Sequence, residues 1–134
     1  MKLNRLLAIC CCLVFSHTSL AAHPQADLAH EYFVEMGNAV IEFVPTINSG
    51  DPTKIRNMGM RLTSLIKQGK PLGPTVFDKP FGSCFAMGNQ AQALWMTLNS
   101  ARNSQQDESI RINSAFDMFK SKQIDCMNAI DENE

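Results

Sequence analysis

The chain has 134 residues, 12 Lys and Arg against 13 Asp and Glu, a formal net charge of −1 and five cysteines. That length is one domain's worth. The near-neutral balance argues against nucleic acid as the main partner, because a phosphate backbone requires a basic surface.

The chain opens with Lys2 and Arg5, then the apolar run Leu6 to Phe15, then Ser19-Leu20-Ala21. Charged, apolar and small-residue regions in that order predict a secretory signal peptide over residues 1–21. Leu7-Ala8-Ile9-Cys10 loosely resembles a lipoprotein acylation site, but Ile9 is bulky where a small residue is needed. Cleavage after Ala21 leaves residues 22–134 as a single helical domain. It also removes Cys10, Cys11 and Cys12 and takes the net charge to near −3. The remainder has no stretch approaching the roughly 20 apolar residues of a membrane span, so a soluble periplasmic protein is expected.

Residues 24–44 set Ala29, Tyr32, Phe33, Met36, Val40 and Phe43 at steps of three and four. Asp27, Glu31, Glu35, Asn38 and Glu42 fill the other face. This is a first helix, expected to end near Pro45. Asp51-Pro52 is a start signal, and Ile55, Met58, Leu62, Leu65 and Ile66 carry a second helix over 52–68. Residues 69–83 read GKPLGPTVFDKPFGS and form a long connection, since their prolines and glycines break regular elements. The stripe Cys84, Met87, Gly88, Ala91, Leu94, Trp95, Leu98 and Ala101 makes a third, central helix. After a polar turn at 103–107, Ile112, Ala115, Phe116, Phe119, Cys126, Met127 and Ile130 make a fourth. No segment alternates with period two, so the fold class is all-α, a small bundle of about four helices.

The two cysteines left after processing fix how the last two helices pack. If those helices turn near Gln105, Cys84 lies 21 residues before the turn and Cys126 lies 21 after it. Both then sit roughly 30 Å from the turn, each on its helix's apolar stripe. A structural disulfide is expected in an oxidising compartment. A redox dithiol normally shows its cysteines close together, as in C-x-x-C.

Catalytic patterns are missing. His30-Glu31 does not extend to H-E-x-x-H, nothing suggests a metal centre or an attached haem, and no nucleophile has a local base. Glu31 and Glu35 lie one turn apart, as carboxylate pairs of sugar-cleaving enzymes can, but a solvated acidic face is the simpler reading. His23 reads as a solvated terminal histidine. Neither an enzyme nor a cofactor is expected.

Charge is segregated. Lys54, Arg56, Arg61, Lys67 and Lys70 follow one another without an intervening acid, the first helix carries four acids, and residues 104–134 are net acidic. The plain reading is complementarity between neighbouring helices. The functional reading is steering of a charged partner. Met60, Met96 and Met118 fall off the apolar stripes together with Val34, Ile41 and Ala93, leaving room for an adaptable contact surface. In the 69–83 connection, Val76, Phe77 and Phe81 either cap one end of the bundle or present anchors to a partner.

The layout of signal peptide, helices and one cysteine pair resembles the periplasmic immunity proteins that neutralise cell-wall-degrading effectors of type VI secretion. The cysteine flanks F-G-S-C-F-A-M-G and Q-I-D-C-M-N-A-I depart from the tyrosine- and glycine-rich flanks of one such family, so no binding residue is carried over. The resemblance implies inhibition of a cognate protein toxin, a peptidoglycan hydrolase or transpeptidase, by blocking its active site. The expected contacts are Lys70, Phe77, Asp78, Lys79 and Phe81 of the connection, with Arg61 and Lys67 of the second helix. The alternative is a periplasmic ligand-binding or chaperone-like helical protein, with a ligand held near Trp95 and the methionines. Pairing into a homodimer stays open on either reading.

Overall fold

A computed structural model describes residues 23–134; the expected signal peptide lies outside the described residues. The chain forms α1 (Ala26–Ile41), α2 (Phe43–Asn48), α3 (Pro52–Gly69), α4 (Gly82–Ala101) and α5 (Ser109–Asp131), with a single 3-10 turn at Lys70–Leu72. There is no strand among the described residues, and the fold is the expected small all-α bundle.

The first predicted helix is divided. Pro45 does not stop it but sits in the first turn of α2, where a missing N–H costs nothing. The break falls at Glu42, between α1 and α2, and lets Phe43 turn fully into the core. The helical path ends at Gly50, whose φ of 64° is the left-handed conformation that glycine adopts readily. Asp51 then caps α3, accepting from Thr53 N at 2.8 Å and Lys54 N at 3.3 Å.

Helix α4 is the centre of the bundle. It packs along α5 as an antiparallel hairpin, and α1, α2 and α3 lie against its other sides. At the hairpin turn Asp107 accepts from Ser109 N at 2.9 Å, and that bond holds its carboxyl below the usual carboxylate range. At the far end Cys84 and Cys126 form the expected disulfide, with Cα atoms 4.5 Å apart. Phe43, Phe81, Met36, Leu62, Met87 and Leu94 fill the core, and Trp95 lies tilted on Phe43 with ring centroids 5.1 Å apart. Met127, expected on the apolar stripe of the last helix, is exposed instead.

Tyr32 of α1 marks the tightest crossing. Its ring lies in a slot between Gly69 and Gly88: a methyl carbon at Gly69 would meet ring atoms at 2.6 Å, and one at Gly88 would run into the hydroxyl. The hydroxyl is buried and makes no hydrogen bond among the described residues. Burial lifts its pKa above the ordinary value of 10.0. Below about pH 10 the hydroxyl is neutral in both folded and unfolded chains and costs nothing electrostatically. As pH rises further, the unfolded chain ionises first and stability falls. Tyr32 is the sole tyrosine, so Tyr32→Phe should flatten the alkaline limb of stability against pH. At pH 7 it should cost nothing or add about 1 kcal/mol, since an unpaired buried hydroxyl is removed. Urea unfolding at a series of pH values checks both.

Candidate functional site

Residues 73–81 form a closed loop at the disulfide end of the bundle. Gly73, with φ 134°, opens it, and Gly82 closes it. The two meet at a neck, where a side-chain carbon on Gly73 would come within 3.3 Å of Gly82 Cα, and one on Gly82 would strike the carbonyl of Thr75. Glycine at both places is therefore a requirement of the close approach.

The loop holds its own shape. Asp78 accepts from Thr75 N at 2.6 Å and Thr75 Oγ1 at 2.8 Å, and its own N–H bonds to Thr75 O at 3.2 Å. Gly82 N donates to Asp78 O at 2.7 Å, which ties the turn to the start of α4. Phe81 is fully buried and meets the His23 ring edge-on, with centroids 5.2 Å apart. Ser83 Oγ reaches Asp125 O at 3.3 Å, and the disulfide follows at Cys84. The result is a braced turn that carries Val76 and Phe77 outward, and Phe77 is 86% exposed.

Sequence reasoning singled out this segment, but the structure redistributes its parts. Phe77 and Lys79 are exposed at the tip, and Lys70 is exposed in the 3-10 turn that leads into it. Phe81 was expected at the contact surface, and burial removes it from any contact; it is the loop's foot in the core. Asp78 is committed to Thr75 and shapes the turn. Arg61 lies more than two helical turns before Lys70 and bonds Glu42 at 2.9 Å, a half-exposed pair that contributes less than about 1 kcal/mol. It does not join the loop. Lys67 lies with Arg56, Met60 and Thr63 along a shallow groove on α3. His23, read as solvated, is half-buried, and its Nδ1 accepts from Gln25 N at 3.3 Å.

The C-terminal half of α5 supplies what the sequence left out. Lys122, Asp125, Asn128 and Glu132 border a cleft of about 400 Å³ whose other wall is Val76, Phe77, Lys79 and Pro80. Lys122 and Asp125 pair at 2.7 Å, so among the described residues the unpaired cation bordering this cleft is Lys79. Met60, Met96 and Met118 are all exposed, as their off-stripe positions implied. Glu31 and Glu35 line a small cleft beside Tyr32, and no group of three or more metal-ligating side chains comes together among the described residues.

Comparison with known proteins finds no family model, no curated protein and no solved structure that matches the chain. No helix among the described residues is long and apolar enough to cross a membrane. The disulfide is of the kind that persists in oxidising compartments.

Proposed function

We propose that the protein is an exported, non-catalytic inhibitor that binds a protein toxin through the 73–81 loop, in the manner of periplasmic immunity proteins against cell-wall-degrading effectors. The observation that carries this reading is the exposed Phe77 on a turn fixed by Thr75, Asp78 and the Gly73–Gly82 neck. A large aromatic ring held in solvent by a preformed loop costs little ordering entropy when it enters a partner's pocket. Such rings dominate interface energetics. Lys79 beside it suits a carboxylate at the rim of a partner's cleft, which the active sites of carboxylate-dependent cell-wall hydrolases would supply.

The test is capture of partners from periplasm and secretions with the tagged protein and with its Phe77→Ala variant. The wild-type chain should retain one stoichiometric cell-wall hydrolase or transpeptidase. Phe77→Ala should weaken that complex by about 2 kcal/mol or more while leaving the thermal midpoint unchanged. Retention of the same enzyme at undiminished affinity by Phe77→Ala would sink the loop as the contact. Retention of many unrelated proteins would point to a chaperone.

A further inference from the structure

Helix α5 carries a stripe that the described domain leaves uncovered. Lys120, Ile124, Met127 and Asp131 recur at steps of four, three and four, which aligns them along one side of the helix. Ile124 is 51% and Met127 43% exposed. Lys120 and Asp131 are exposed and make no ion pair among the described residues. They lie roughly 17 Å apart along the helix axis, too far to neutralise each other. Asp131 also ends α5, where the negative pole of the helix disfavours a carboxylate, and Glu132 follows it.

We propose that this stripe is the interface of a homodimer, in which the second copy's α5 packs antiparallel to the first about a two-fold axis between Ile124 and Met127. The register follows from the order of the residues. With the axis there, Ile124 of each protomer meets the partner's Met127, and Lys120 meets the partner's Asp131, twice over. A two-fold contact has to be complementary to itself, and this stripe satisfies that requirement in its apolar middle and at its charged ends.

A second exposed stripe shows that the match is not automatic. Helix α3 presents Arg56, Met60, Thr63 and Lys67 at the same spacing, and the same antiparallel pairing would oppose Arg56 with the partner's Lys67. That stripe repels its own copy. Beside α5, α1 widens the apolar middle. It runs antiparallel to α5, with His23 N bonded to Asn133 O at 3.0 Å and Gly37 lying against Gln123. The exposed Val34, one turn before Gly37, therefore flanks Ile124 and Met127. At 100° per residue, Lys122, Asp125 and Glu132 lie about 110° or more around α5 from the middle of the stripe, and Asn128, the cleft residue nearest it, about 70°. Both Phe77 tips stay free in the dimer, and the interface stands whether or not those tips bind a toxin.

Sedimentation velocity of the exported, disulfide-bonded protein over a concentration series tests the proposal. The wild-type chain should show a monomer–dimer equilibrium, and Ile124→Asp should be monomeric throughout. Lys120→Asp and Asp131→Lys should each weaken dimerisation about tenfold or more, because both symmetric pairs turn repulsive. The double reversal should restore it, and a mixture of the two single variants should form heterodimers. Matching circular-dichroism melts keep misfolding out of the comparison. A wild-type chain that stays monomeric at millimolar concentration overturns the proposal. So does a dimer indifferent to Ile124→Asp, or a double reversal that fails to recover; a monomer whose toxin capture is lost in Ile124→Asp would assign the stripe to the toxin instead.

Discussion

Replacing both Cys84 and Cys126 by serine should lower the unfolding free energy by about 4 kcal/mol, the chain-entropy value for the 42-residue separation they bridge. That is a large share of the 5–15 kcal/mol typical of a whole domain, so the midpoint of a urea titration should fall steeply. The hairpin of α4 and α5 is fixed at one end by its turn and at the other by this bond. The freed end is also the foot of the 73–81 loop, because Gly82 and Ser83 immediately precede Cys84. Proteolysis within the loop should therefore accelerate more than global unfolding accounts for. A loss under about 1 kcal/mol would mean that helix packing alone positions this end.

Gly88→Ala should cost about 2 kcal/mol, although alanine is the better helix former by about 1 kcal/mol. The added carbon runs into the Tyr32 hydroxyl and stops 3.1 Å from the ring carbon that bears it. Tyr32 has little room to shift, since Gly69 packs so close that a side-chain carbon there would lie 2.6 Å from its ring. The cost should thus depend on the hydroxyl. In a Tyr32→Phe background the same substitution should be at least about 1 kcal/mol cheaper, a coupling that a double-mutant cycle in urea would measure. Additive behaviour would show that the α1–α4 crossing relaxes around the new methyl.

The long-period features of the fold were legible in the sequence. The helices over 52–68 and 84–101 appeared because their apolar residues repeat at helical steps, and the Cys84–Cys126 bond followed from equal distances to one turn. Pro45 misled because proline breaks a helix interior but is accepted in a first turn, and only the three-dimensional path reveals that a new helix begins at Phe43. Within the candidate site, Phe77 and Lys79 were visible as an aromatic and a cation on a proline-rich stretch. Whether Phe77 or Phe81 points inward was not, because both are phenylalanines flanked by turn residues and only the packing of Phe81 into the core, His23 included, separates them. The Thr75–Asp78 brace had a local signal in its T-x-x-D spacing. The α5 side of the cleft had none, since Lys122 and Glu132 approach the loop only through folding.

The closed neck of the 73–81 loop divides its residues into two kinds. Gly73, Thr75, Asp78, Phe81 and Gly82 make the shape, and Val76, Phe77 and Lys79 meet whatever approaches. Changes at the second set leave the first untouched, so the tip can be exchanged like a bit in a drill chuck while the bundle keeps its fold. Recognition could then drift toward a new target within a few substitutions, and libraries restricted to those three positions should yield folded proteins at high frequency.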